Sequence, residues 1–276
     1  NMLVYVLGTA QDSGYPQANC YEKCCQEAWI NDSLKRFPSS IAIIDQEKKK
    51  YWLIDVTPSL KEQLDLIKSF NCSLEGIFIT HAHIGHYMGL INFGLEVMNL
   101  KEVPVYVMPR MMQFLKQNSI FQQLLFNNNI NLEKMKNNTL ISIQDNFSIF
   151  PFEVPHRNEL SETVGFSIKG KQDSIVYLPD IDSWHEWEDK LFNLIKTHDK
   201  LFIDGTFFSK QEISHRDISK IPHPEIIETM KILSDLDTSQ KQKIHFIHFN
   251  HTNGVIREDS QASKDVIDNG YFISKE

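Results

Sequence analysis

The chain runs to 276 residues, with 36 acidic side chains against 28 basic ones and a formal net charge of -8. That balance repels polyanions and argues against a dedicated nucleic-acid binder, so a small-molecule substrate is the expected partner. Apolar runs fall short of the ~20 residues that cross a bilayer, so no membrane span is expected, and the length suits one layered domain over 1-276.

In chain order, Leu3–Leu7 reads as a strand. No basic n-region precedes it, so a cytoplasmic protein is expected, or a periplasmic or lipid-anchored one if a signal segment has been removed. Ser40–Asp45 and Tyr51–Asp55 are strand-like, with Lys48-Lys49-Lys50 as a solvated turn between them and a helix predicted over Pro58–Phe70. The apolar, β-branched run Gly76–Thr80 predicts a buried strand. A helical stretch near Met88–Met98 and the strand Val105–Met108 follow. The Asn-rich segment 109-138 is expected to be helical, a candidate cap over a cleft. Strands are then predicted at Leu140–Ile143, Phe147–Val154, Thr163–Ile168, Ser174–Leu178, Leu201–Ile203 and Ile244–Phe249, with helices at Ser183–Lys196, Pro224–Leu236 and Ser260–Ile267. Two series of strands, each closed by helices, point to the α/β class and a four-layer αββα sandwich.

Thr80-His81-Ala82-His83-Ile84-Gly85-His86 places three histidines within six residues, directly after a buried strand. A tight loop there aims several imidazoles at one cleft, and neutral imidazole is the commonest ligand for zinc and also serves iron. Further ligands should come from other strand ends. His156, Asp180, Asp204 and the histidine-rich run Ile244–His251 occupy such positions.

The order His-x-His-x-x-His, strand-end His, strand-end Asp and late His resembles the metallo-β-lactamase superfamily over nearly the whole chain. The resemblance implies that His81, His83 and His156 bind a first metal, that His86 and His248 serve a second, and that Asp180 bridges both. It also places Asp55 behind a ligand imidazole, a role Asp204 could share, and gives His223 contact with substrate as a proton donor. The superfamily motif reads His-x-His-x-Asp-His, however, and Gly85 stands where its aspartate would be. The second site is therefore expected to keep only His86, Asp180 and His248, and to be weak, empty or suited to a different metal. Zinc is the expected metal, in one or two copies, with iron or manganese as alternatives.

Within the superfamily the chain is most similar to the pyrroloquinoline-quinone biosynthesis B proteins, through Val6–Gln17, Cys20, Asp204-Gly205-Thr206-Phe207 and His248–Asn253. It also resembles the cyclic-phosphate phosphodiesterases of phosphonate breakdown, which implies a structural zinc on Cys20, Cys24, Cys25 and His251. Their pattern is Cys-x-Cys-x-x-Cys, whereas this chain reads Cys-x-x-x-Cys-Cys, so one of Cys24 and Cys25 is a candidate spectator. Cys72 is expected to be a buried spectator, His245 to pack in the core or at an edge, and His185, His198 and His215 to lie on the surface. Trp184 and Trp187 are expected to pack a helix onto the core.

The function expected on these grounds is metal-dependent hydrolysis by a metal-activated hydroxide. The substrate would be a phosphodiester or another small ester or amide, with Asp180 orienting the nucleophile and His223 protonating the leaving group. The missing aspartate motivates two alternatives: an iron-dependent oxygenase of the pyrroloquinoline-quinone biosynthesis B type, since three histidines with open positions also serve Fe(II), and a non-catalytic metal-binding protein of the same fold. Composition leaves the oligomeric state open, a homodimer included.

Overall fold

A computed structural model describes residues 2–213 and 221–276; His215 lies outside the described residues. The first sheet contains β1 (Met2–Gly8), β2 (Ser40–Asp45), β3 (Lys50–Ile54), β4 (Ser73–Phe78), β5 (Val103–Val107) and β6 (Ile130–Lys134), side by side in that order. Its first three strands are antiparallel and β3 to β6 are parallel. The second sheet contains β7 (Ile141–Gln144), β8 (Phe147–Glu153), β9 (Val164–Lys169), β10 (Ser174–Leu178), β11 (Lys200–Asp204), β12 (Ile244–Ile247) and β13 (Phe272–Ile273), also in chain order. Here β7 to β10 are antiparallel and β10 to β13 parallel.

The central strands are apolar on both faces, because successive side chains point to opposite sides and each side meets a different core. Ile41, Ile43, Trp52, Ile54 and Phe78 face the second sheet, where they meet Phe166, Tyr177, Phe202 and Ile247. The alternate residues Ala42, Ile44, Leu53 and Ile77 face outward into a core that includes Leu60, Leu90 and Leu115. On the second sheet Val176, Leu178, Leu201, Ile203 and Phe246 pack outward against Trp184, Leu191, Ile226 and Val266. Three cores separate four layers, so the αββα sandwich forms as expected. Each fully buried aliphatic or aromatic side chain in them contributes roughly 1.5–3 kcal/mol.

Several local expectations need correction. Segment 109-138 forms helices Pro109–Gln117 and Ser119–Phe126 and then the edge strand β6. Met111, Leu115, Phe121 and Leu124 bury on the outer face of the first sheet, so these helices pack in its helical layer. Trp184 and Trp187 precede the helix Glu188–Thr197 and are buried in the core, where Trp184 Nε1 donates to Thr229 Oγ1 at 2.8 Å. His198 is buried: its Nε2 lies 2.7 Å from Ser167 Oγ and its Nδ1 3.0 Å from the Leu194 carbonyl. Two polar partners make it a core histidine despite its polar neighbours in sequence. Among the described residues no helix is long and apolar enough to cross a membrane.

Candidate metal centre

The parallel strands of both sheets end at one rim, and there each sheet builds a similar device. On the first sheet, Asp55 follows β3 in the left-handed region at φ +64°. Its buried carboxylate accepts from the backbone N–H of Thr80 at 2.8 Å and from the Thr80 hydroxyl at 2.9 Å, and lies 2.6 Å from His86 Nδ1. Thr80 Oγ1 in turn lies 2.9 Å from His81 Nδ1. On the second sheet, Asp204 ends β11 and accepts from the Thr206 backbone N–H at 3.0 Å and its hydroxyl at 2.7 Å, and lies 2.7 Å from His223 Nδ1. Thr206 Oγ1 lies 2.9 Å from His248 Nδ1. Each sheet thus contributes one carboxylate, one threonine and two imidazoles. A buried non-glycine residue with positive φ is held there by its surroundings, and His248 is a second one, at φ +71°.

His156, beyond β8, is oriented separately, its Nδ1 lying 2.9 Å from Asp182 Oδ1. With Nδ1–H donating to these oxygens, the Nε2 lone pairs of His81, His86, His156 and His248 remain available, the usual arrangement behind metal-binding histidines. Those four Nε2 atoms and Asp180 Oδ2 are buried and make no hydrogen bond among the described residues. One orphaned buried polar atom costs about 1–3 kcal/mol, so five acceptors facing one space call for a cation. The donor atoms of His81, His83 and His156 lie within 4.8 Å of one another, as do those of Asp12, His86 and His248 and those of His81, His86 and Asp180.

Asp180, just past β10, stands between the two groups. Its Oδ1 is 3.6 Å from His156 Nε2, and its Oδ2 is 3.7, 3.1 and 3.2 Å from the Nε2 atoms of His81, His86 and His248. Burial and the neighbouring His86 hold the His81 pKa well below the ordinary value, and burial lowers that of His83 to about 4. Both imidazoles are therefore neutral at physiological pH, as ligands must be. Burial opposes ionisation of Asp180, but His248 and His156 outweigh it and keep its carboxyl well below the usual range.

All six expected ligands of the two metal groups meet in the cleft, and Asp55 and Asp204 stand behind them. His223 is not an exposed loop residue: its side chain is 5% accessible and its Nε2 lies 3.9 Å from Asp180 Oδ1. Asp12, Asp182 and Thr206 are additions that sequence reasoning missed. Asp12 Oδ1 lies 3.4 Å from both His86 Nε2 and His248 Nε2, so the second group is not limited to His86, Asp180 and His248 as expected. The ligand groups open onto a cavity of about 560 Å³ that is also lined by Arg157, Phe207, Glu212 and Ile221.

The cysteine cluster lies beside this cleft. Donor atoms of Cys20, Cys24 and His251 come within 4.8 Å of one another. Cys25 falls outside that group. It is fully buried with the second sheet's outer core, its Sγ 3.9 Å from Cys24 Sγ, and burial pushes its thiol up to about 12. Cys72 is half-buried, His185 is exposed, and His245 stacks on Phe272 with ring centroids 4.9 Å apart.

A family model described as the beta-lactamase superfamily domain matches residues 51–246. The coenzyme PQQ synthesis protein B of Xanthomonas campestris pv. campestris is 24% identical over 283 residues, covering 92% of this chain and 91% of that protein. Zn(2+)-bound PqqB from Methylobacterium extorquens superposes with a TM-score of 0.84 at 20% identity, over 100% of this chain and 98% of the other. A diphosphatase from the PhnP family superposes with a TM-score of 0.69 at 19% identity, over 100% and 96%. With two facing sheets, ligands gathered at their strand ends and a match of that span, the chain belongs to the β-lactamase superfamily.

Proposed function

We propose that the protein is a metal-dependent hydrolase acting on a phosphodiester or another small ester or amide. The reading rests above all on one observation: the buried Nε2 atoms of His81, His86, His156 and His248 and Asp180 Oδ2 converge without hydrogen-bond partners. His81, His83 and His156 would hold one metal, and His86, His248 and Asp180 a second, with zinc the metal that best suits these ligands. Bound there, a metal supplies Lewis acidity, lowering the pKa of water toward ~7 and polarising a substrate oxygen.

The remaining work falls to the chain's own side chains. Asp180, ionised and facing both ligand groups, accepts a hydrogen bond from the attacking water and fixes its direction. His223 is the proton donor. Burial disfavours its charge, but the Asp204 carboxylate at 2.7 Å more than compensates and holds its pKa above the ordinary value. When protonated, its Nε2 faces the cleft and delivers that proton to the leaving oxygen. Arg157 lines the same cavity with a buried Nε that has no acceptor among the described residues, a feature suited to an anionic substrate such as a phosphodiester. Turnover of bis-nitrophenyl phosphate with zinc or manganese tests the reading. The activity should disappear in the His81→Ala/His83→Ala double variant, and its survival there with metal content unchanged would refute the assignment.

A second reading keeps the ligands and changes the chemistry to iron-dependent oxygenation. It is favoured by the similarity to proteins named for coenzyme PQQ synthesis. Oxygen uptake by the Fe(II)-loaded protein separates the two. For the neighbouring cluster we propose a structural zinc held by Cys20, Cys24 and His251, with a fourth ligand still to be assigned.

A further inference from the structure

We infer that Asp12 is the carboxylate ligand of the second metal, replacing the side chain that Gly85 lacks, and that Gly85 is glycine because Asp12 occupies its side-chain space. The inference rests on the two-metal reading above and adds to it a relocated ligand.

Three independent features support it. The first is donor geometry. In a tetrahedron whose corners lie about 2.0 Å from the centre, as zinc ligands do, neighbouring corners are about 3.3 Å apart. His86 Nε2 and His248 Nε2 lie 3.1 and 3.2 Å from Asp180 Oδ2, and each lies 3.4 Å from Asp12 Oδ1. Both histidine nitrogens therefore stand at zinc-ligand spacing from Asp180 and from Asp12 alike, and the donor atoms of Asp12, His86 and His248 lie within 4.8 Å of one another.

The second is exclusion. A Cβ built on Gly85 would come within 2.5 Å of Asp12 Cα and 2.7 Å of both its Cβ and Cγ. Those contacts are with the backbone and stem of Asp12, so a side chain at 85 and the present position of Asp12 are mutually exclusive. The Gly85 backbone N–H meanwhile donates to Asp12 Oδ2 at 2.9 Å, which leaves Oδ1 turned toward the two histidines.

The third is anchoring. The loop carrying Asp12 is tied to the strand end carrying His248 by two backbone bonds, Gln11 N–H to the Phe249 carbonyl at 2.8 Å and Phe249 N–H to the Thr9 carbonyl at 2.8 Å. A ligand fixed to its neighbour by backbone hydrogen bonds needs little reorganisation to bind.

The test is equilibrium zinc binding to the full chain at defined free zinc, followed by elemental analysis of zinc per chain. Asp12→Ala should lose one equivalent from the histidine cleft, its affinity falling by at least about 100-fold, beyond the ~10–100-fold typical of an outer-shell partner. Asp12→Asn keeps the shape of the loop and should weaken the same equivalent, with the first site retained as the control for folding. Gly85→Asp alone should fail like Asp12→Ala because of the clash. The Asp12→Gly/Gly85→Asp double variant should recover affinity to within about 10-fold of the native chain. An unchanged second equivalent in both Asp12 variants would overturn the inference, as would a double variant no stronger than Asp12→Ala. A native chain with a single cleft metal would also overturn it, while leaving one-metal hydrolysis standing. Two metals with full dependence on Asp12 but no hydrolysis would sink only the hydrolase reading.

Discussion

Asp55→Asn separates ligand orientation from simple folding damage. Asp55 Oδ2 faces His86 Nδ1 at 2.6 Å, and the carboxylate also accepts from the Thr80 backbone N–H at 2.8 Å and the Thr80 hydroxyl at 2.9 Å. An asparagine can still accept the Thr80 N–H through its oxygen, but its amide then points a donor at His86. The imidazole must either oppose two N–H groups or move its proton to Nε2, where a metal should bind. The loss is one charge-assisted hydrogen bond, about 1.5–3 kcal/mol, or roughly 10–100-fold in affinity for the metal on His86. Without metal the sign reverses. Burial holds the Asp55 carboxyl above its ordinary pKa, so its ionised form is a cost to the metal-free fold and the neutral amide should leave that fold as stable or slightly more so. Competition against a chromophoric chelator reads the affinity, and thermal unfolding with and without metal reads the stability. Zinc affinity within twofold of the parent would refute the orienting role, and a metal-free variant several degrees less stable would show that Asp55 is mainly structural.

Three further perturbations address other parts of the molecule. Glu212 accepts from the backbone N–H groups of Phe208 and Ser209 and from the Thr252 hydroxyl, and burial raises its carboxyl from the ordinary 4.5 to about 7. A raised folded-state pKa gives stability that is full below the unfolded value and is lost as pH rises through 7. Glu212→Gln mimics the protonated acid, so it should match the parent at pH 4 and exceed it by about 1–2 kcal/mol at pH 8, after discounting for partial exposure; equal denaturation midpoints at both pH values would contradict this. Arg157→Ala should raise KM for a phosphodiester about 10-fold or more with kcat within threefold and metal content unchanged, whereas an unaltered KM would remove Arg157 from substrate binding. Elemental analysis should show Cys20→Ser and Cys24→Ser each losing one zinc while Cys25→Ser keeps it, and zinc loss in the third would return Cys25 to the ligand set.

The histidine cluster was readable because local spacing carries it: His81, His83 and His86 follow one buried strand, and His156, Asp180 and His248 each follow another. Asp12 was not readable, because Asp12-Ser13-Gly14 looks like an ordinary turn and its partners lie 74 and 236 positions away. Only the register of β1 beside β2, and the two hydrogen bonds from its loop to Phe249, bring it to the cleft. Asp182 and Thr206 were hidden for the same reason, as polar residues next to recognised ligands whose roles depend on where they point. Residues 130–134 fall within the segment expected to be helical, but they form a strand between the loops at Asn127-Asn128-Asn129 and Asn137-Asn138, where Asn128 and Asn138 adopt the left-handed conformation that breaks elements. His198 looked like a surface residue because Thr197, Asp199 and Lys200 are polar. Its burial depends on Ser167, a distant strand partner.

Anomalous difference maps recorded at the zinc edge, from crystals of the full chain grown with zinc, test the central claim most directly. Two peaks are expected in the histidine cleft, one among His81, His83 and His156 and one among Asp12, His86 and His248, with Asp180 between them. A cleft without anomalous density at saturating zinc, its histidines hydrogen-bonded to water alone, would contradict a metal centre at this site.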